Sequence, residues 1–242
     1  MELTLLHLYP DAMSLYGEYA NLSVLRRHLE ALGVTVHLEK VTCEDVPDFT
    51  RADLVYMGAG TEGAQKAVLL GLTRQAAALR AALDRGCLVL FTGNAMETLG
   101  RSITDARGQT WGALGLADFT TVETDKRSPG DVIALSTLWE APAVGFMNKC
   151  STTSGVTTPL FASLPLGFGN EAEHGSEGYA DGGILATHLT GPVLVKNPAF
   201  TDLIIRRLFF AKGWPLPEQL PVLPHEGEAY AVTLRELQAR LK

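Results

Sequence analysis

Cys87 to Gly100 reads CLVLFTGNAMETLG. Leu88 to Phe91 are four successive apolar residues, the pattern of a short buried strand, Thr92-Gly93-Asn94 makes a tight corner, and Ala95 to Leu99 starts a helix behind it. A strand-to-helix corner of this shape lifts one residue clear of a sheet and points a helix N-terminus at whatever binds there. The residue at the tip is Gly93, which carries no nucleophile. The sequence therefore has the outline of an active site without its reactive group.

Working outward, Glu2 to Tyr9 reads as a first strand. Leu22, Leu25, Leu29 and Leu32 line one face of a helix that Gly33 ends. Val34 to Val41 alternates as a second strand. Ala52 to Met57 is a third, running into Gly58-Ala59-Gly60, and Gln65 to Arg85 is helical in two pieces broken near Gly71. Strands alternating with helices in this way predict an α/β fold with a mostly parallel, flavodoxin-like sheet and helices on both faces. In such sheets ligands sit at the carboxyl ends of the strands, where both Gly58–Gly60 and the Gly93 corner lie.

Beyond Gly100 the texture changes to shorter strands and turns: Leu116 to Glu123, Asp131 to Ser136, Ala143 to Asn148, Leu166 to Gly169 and Gly183 to His188. With no polar linker between the halves, these are expected as antiparallel extensions of the same sheet rather than a second core. The glycine-rich Gly167 to Gly183 is expected to be a mobile loop. Phe200 to Lys212 reads as a helix, followed by a crossing with Pro215, Pro217, Pro221 and Pro224 and a last amphipathic segment with Leu234, Leu237 and Leu241 on one face.

The 242 residues carry 20 Lys and Arg against 27 Asp and Glu, a net charge of −7. That balance, without a basic stripe, argues against a nucleic-acid partner. No apolar run is long enough for a membrane span and no basic-then-apolar leader opens the chain, so a cytoplasmic location is expected. Cys43, Cys87 and Cys150 have neither CxxC nor CxH spacing, so neither a disulfide framework, a metal site nor another cofactor is expected.

Several segments together resemble one family: LYPDAMSLYGEYANLSVLRRHL, VYMGAGTEGAQ, LVLFTGNAMETLG, VETDKRSPGDV, VGFMNKCSTT and LATHLTGPVLVKNPAFTD. The resemblance is to CobB/CobQ-like class I glutamine amidotransferases, and within them to the glutaminase subunits of lipid II isoglutaminyl synthases. It implies one amidotransferase-like domain over 1–212, with 213–242 packed on it, and a heterodimer with a Mur-ligase-like subunit in cell-wall precursor amidation. It also implies a cleft for glutamine or another small amino acid.

In that family the corner carries a cysteine, which attacks the glutamine side-chain amide, and a histidine in an HGP segment moves the protons while backbone amides hold the oxyanion. Laid over this sequence, Gly93 stands where the cysteine belongs and Thr190 where the histidine belongs, so no catalytic pair is intact. The resemblance leaves Gly58, Ala59 and Gly60 as the oxyanion-side loop, Asn94 on the corner, and Arg127 where relatives keep an arginine for an anionic group.

Substitutes for the missing pair are few. Cys150 falls in a segment that lines the family's cleft, and Thr92 beside the tip would need a base alongside. Cys87, about 20 Å back along the strand at ~3.3 Å per residue, reads as a core thiol. His188 shares a strand face with Thr190, one step of about 6–7 Å behind it, and either approaches the cleft or is a hydrogen-bonded structural residue. His7, His28 and His37 read as strand or helix surface, and His174 and His225 as solvated loop residues. Glu18, Asp53 and Glu97 are candidate acids, Glu97 having the better position. Met96 and Met147 are side chains that could plug the cleft. The sequence leaves three functions open: a degenerate subunit, an active glutaminase with an unusual nucleophile, and a small-molecule-binding regulatory module.

Overall fold

The computed structural model describes residues 1–216 and 218–241. The first strand, β1 (Glu2–Leu8), feeds α1 (Tyr19–Ala31), whose Leu22, Leu25 and Leu29 are buried. Gly33, at φ +77°, takes the left-handed conformation that ends this helix at low steric cost. β2 (Thr35–Val41) and β3 (Leu54–Met57) follow. Next come α2 (Glu62–Leu72) and α3 (Ala76–Asp84), split by a 3-10 turn over Thr73–Gln75, close to the expected break. Thr61 caps α2, its Oγ1 accepting from the Ala64 amide at 3.1 Å.

β4 (Leu88–Thr92) is buried along its whole length. The helix expected behind it is a 3-10 helix, Gly93–Leu99. β1, β3 and β4 pair in parallel with β2 on one flank. On the other flank β4 pairs in parallel with β11 (Ile184–Thr187), and β10 (Tyr179–Asp181) adds one antiparallel edge. The order is β10-β11-β4-β3-β1-β2, an α/β architecture.

The strands between form a second sheet, which corrects the expectation of extensions on the first. It comprises β5 (Ser102–Thr104), β6 (Thr110–Gly112), β7 (Thr120–Leu135), β8 (Ala143–Ser154) and β9 (Ser163–Leu166), ordered β6-β5-β7-β8 with β9 also on β7. Its core is not separate: Val132, Ala134, Ala143 and Met147 pack in one cluster with Leu3, Leu5, Leu25 and Leu90 of the first layer. The two strand segments expected over 116–136 are one long strand, β7, whose pairing with β8 slips between Glu123 and Ser128. That bulge carries Arg127.

Gly167 to Gly183 is pinned, not loose. Asn170 is 2% exposed and exchanges two hydrogen bonds with Gly178, and β10 lies within the segment. After β11 come α4 (Val193–Lys196), α5 (Pro198–Ala211) and α6 (Glu226–Ala239). Leu237 of α6 packs on Ile133 and Val144, and Glu226 meets the buried His28 of α1 at 3.1 Å. His7 too is buried, so these two histidines are not the surface residues expected, whereas His37 is exposed. Of the four prolines of the crossing, Pro217 lies outside the described residues.

Candidate functional site

Four pieces of backbone converge at the carboxyl ends of β3, β4 and β11: the Gly58–Glu62 loop, the Gly93 corner, the stretch from Leu15 to Glu18, and the bulged β7–β8 pair. They enclose a cleft of about 290 Å³ lined by Tyr16, Ala59, Gly60, Gly93, Asn94, Arg127, Cys150, His188 and Thr190, among others. Of the candidate residues in these segments, Ala59, Gly60, Gly93, Asn94, Glu97, Arg127, Cys150, His188 and Thr190 reach this lining, whereas Gly58, Glu18 and Thr92 do not. Gly58 lies behind it, where a Cβ would stand 2.7 Å from the Glu18 Cβ. Met96 and Met147 are buried in the two core layers and do not plug the cleft.

The corner has the strained backbone of a nucleophile elbow. Gly93 sits at φ +61°, yet a side chain there has no room: a Cβ would overlap the Ala59 methyl and stand 3.1 Å from the Ala59 Cα. The neighbouring loop is also tied up. The Gly60 amide donates to Asn94 Oδ1 at 2.9 Å, while Asn94 Nδ2 donates to the Gly60 carbonyl at 3.0 Å, so this amide is bonded within the fold.

At the second position Thr190 donates to Glu18 Oε1, which also accepts the Gly191 amide at 2.8 Å. The other carboxylate oxygen takes Thr92 Oγ1 at 2.5 Å, Tyr56 OH at 2.7 Å and Asn21 Nδ2 at 3.2 Å. Glu18 is wholly buried. Desolvation of such a carboxylate is offset only because each lone-pair direction finds a donor. Burial, then the Glu18 charge, pushes the Tyr56 hydroxyl well above its ordinary range. Thr92 is thus held by a carboxylate and a phenol, with no imidazole within its hydrogen bonds.

Cys150 lies on the rim with its thiol donating to Glu62 Oε1 at 3.2 Å. Burial and then that carboxylate push the thiol up to about 12, so it stays protonated near neutrality and is a poor nucleophile. Arg127 reaches the same Glu62 oxygen at 2.6 Å and the Asn148 carbonyl at 3.2 Å. An anion already occupies the arginine, and it belongs to the chain.

The floor holds a group that sequence reasoning saw only in part. His188 Nδ1 lies 3.0 Å from Glu177 Oε1, and the His188 amide donates to the same oxygen at 2.7 Å. On the other side His188 Nε2 is 3.4 Å from Glu97 Oε1. Glu97 also accepts Ser151 Oγ at 2.5 Å and Gln65 Nε2 at 2.7 Å. Burial and the Lys149 charge push the imidazole down, but the bonds to Glu177 and Glu97 outweigh them and its pKa ends raised. Burial pulls Glu97 the opposite way, yet His188, Ser151 and Gln65 hold its carboxyl below the ordinary value.

Lys149, Ser151, Glu62, Glu123 and Glu177 are not singled out by sequence reading. Lys149 and Ser151 are the most accessible to it. They share the buried face of β8, and the alternation of MNKCSTT about Cys150 is the pattern that reveals them. Glu177 stands in the glycine-rich segment read as loose, so nothing local marked it. The remaining candidate, Asp53, caps the far end of the sheet, accepting the Thr4 amide at 2.7 Å and pairing with Lys212. Among the described residues no group of three or more His, Cys, Asp or Glu side chains is placed to hold a metal ion. Nor is any described helix long and apolar enough to cross a membrane.

Residues 4–198 match the CobB/CobQ-like glutamine amidotransferase domain. The chain belongs to that family. Among curated CobB/CobQ-like relatives, it is 28% identical over 217 residues to the lipid II isoglutaminyl synthase (glutamine-hydrolyzing) subunit GatD of Staphylococcus aureus (strain N315), covering 88% of this chain and 87% of that protein. It is 26% identical over 199 residues to the subunit of the same name from Streptococcus pneumoniae (strain ATCC BAA-255 / R6), covering 81% and 76%. The amidotransferase fold agrees with a crystal structure of a glutamine amidotransferase from Thermotoga maritima, with a TM-score of 0.55, 10% identity and coverage of 99% and 97%. A second glutamine amidotransferase structure aligns with a TM-score of 0.50, 13% identity and coverage of 86% and 98%.

Proposed function

We propose that this chain is a non-hydrolysing glutamine amidotransferase-like subunit. It works in the cytoplasm with a Mur-ligase-like protein in the amidation of a lipid II-type cell-wall precursor. The observation that carries the reading is the pair of filled positions: Gly93 closed against Ala59, and Thr190 held by a buried Glu18. In a glutamine-hydrolysing relative those two places need a thiolate and an imidazole. Here one offers no side chain and the other a hydroxyl whose hydrogen bond is already donated to a carboxylate. The subunit names of the two curated relatives support a partner for this chain and the precursor class. The subunit then acts by docking on and shaping that partner, which draws its nitrogen from free ammonia or another amine.

The test is co-purification with the Mur-ligase-like protein, followed by assay of precursor amidation with ammonium or with glutamine as the nitrogen source. The expected result is a stable complex that amidates with ammonium and stays silent with glutamine. Use of glutamine would overturn the reading.

The active-enzyme alternative needs a nucleophile, and the protonated Cys150 thiol counts against its first candidate. A small-molecule-binding role keeps support from the open cleft, whose lining includes the charged side chains Glu62, Glu97, Glu123, Arg127 and Lys149.

A further inference from the structure

Among the described residues, few buried side-chain polar atoms lack a hydrogen-bonding partner, and three of them gather around this cleft: His188 Nε2, Gln65 Oε1 and Asn148 Oδ1. His188 and Asn148 line it directly, while Gln65 bonds Glu97, which does. His188 is 2% exposed and Gln65 is fully buried. The two amide oxygens only accept, and above the folded pKa of His188, where the imidazole is neutral with its Nδ1 proton directed at Glu177, Nε2 is an acceptor as well. What these atoms lack is therefore donors.

The charge around them points the same way. Glu62, Glu97 and Glu123 line the cleft, with Glu177 and Glu18 immediately behind. The fixed cations facing them are Lys66, paired with Glu123; Arg127, paired with Glu62; Lys149, which bonds the Gly169 and Asn170 carbonyls; and Lys196, whose charge acts on Glu18. Carboxylates outnumber these cations, and unmatched negative charge out of water is costly. A neutral donor such as a hydroxyl supplies hydrogen bonds without charge, and a bare cation supplies charge without hydrogen bonds. A primary ammonium group supplies both.

We propose that the cleft floor is a receptor for a primary ammonium group, either the ammonium ion or the amine end of a small molecule, held by Glu97 Oε1 and His188 Nε2 with the neighbouring amide oxygens completing its shell. This rests on the reading that the cleft no longer turns over glutamine, and it gives the vacated site a task in the same process: collecting the nitrogen that a glutaminase would otherwise have released. The ligand stands where His188 otherwise presents a proton to Glu97. Glu177, Lys149 and Ser151 complete the charged and polar surroundings of that pair. Affinity therefore falls as the pH is lowered and the imidazole becomes charged.

The experiment is calorimetric titration of the purified chain at constant ionic strength with ammonium chloride, ethylamine, tetramethylammonium chloride and sodium chloride, alongside ¹⁵N-ammonium NMR. The expected result is saturable binding of ammonium, ethylamine or both, none for tetramethylammonium or sodium, and at least a tenfold loss in Glu97→Gln. Ammonium alone identifies the free ion as the ligand, whereas ethylamine binding extends it to amine-bearing molecules. No saturable binding, an equal response to sodium, or unchanged affinity in a folded Glu97→Gln protein overturns the proposal. If Glu97→Gln does not fold, the cation series on the native chain decides. Ammonia release from glutamine is followed in the same samples, so turnover would sink the non-hydrolysing reading separately.

Discussion

Ala59 and Gly93 share a space that holds only one side chain. A β-carbon on Gly93 would overlap the Ala59 methyl, and Gly93 itself is at φ +61°. The corner thus carries no side chain where the facing loop, 34 residues earlier, places a methyl group.

Restoring a thiol at the corner therefore takes two substitutions. Gly93→Cys alone adds a left-handed non-glycine residue, costing about 1–3 kcal/mol, and forces the loop off β4. Ala59→Gly in the same chain removes the overlap. Urea unfolding is expected to show a clear loss of stability in the single variant and partial recovery in the double. Equal stability of the two would show that the loop yields freely.

Glu18 is the hub of the hydrogen bonds behind Thr190. Glu18→Ala leaves Thr190, Thr92, Tyr56 and the Gly191 amide without their acceptor. At about 1–3 kcal/mol for each of these four groups left unpaired, a total of about 4 kcal/mol or more is expected. Thermal unfolding that moves by only a degree or two would contradict this network.

Thiol chemistry separates Cys150 from an activated cysteine. With its pKa pushed up to about 12, it should alkylate with iodoacetamide at neutral pH far more slowly than a free thiol, and the exposed Cys43 should react before it. Mass spectrometry of the labelled peptides reads the order directly. Rapid labelling of Cys150 would reopen the reading of a non-standard nucleophile.

Two buried histidines give opposite pH dependences. Burial, then Lys40, lowers His7 from 6.5 to about 4. Its contribution to stability is present above 6.5 and lost as the pH falls toward 4, about 3 kcal/mol at ~1.4 kcal/mol per unit. His188, raised above 6.5, contributes fully below that value and loses its contribution as the pH rises through its folded pKa. His7→Gln should flatten the acid limb of the stability profile. The gap between native and His188→Gln should narrow on going from pH 6 to pH 9, and a gap that widens would reverse the assigned sign.

The layout of the first sheet was legible because β1, β3 and β4 are short apolar runs closed by turn residues, and the leucines of α1 repeat at helical spacing. The second sheet was not, since a 16-residue strand interrupted by a bulge reads locally as two strands with a loop between them. The corner, Gly93 and Thr190 were found by motif position. The Glu97–His188–Glu177 group was not, because it joins residues about 80 positions apart and one of them lies in a glycine-rich segment. Ala59 was noted only for its loop, because the overlap with Gly93 exists only once β3 and β4 lie side by side.

The most direct measurement of the central claim is ammonia release from glutamine by the native chain, alone and with its Mur-ligase-like partner, beside a variant carrying Ala59→Gly, Gly93→Cys and Thr190→His. A silent native chain is expected in both settings, with turnover only in the triple variant. Glutamine hydrolysis by the native chain above the level of heat-inactivated protein would contradict it.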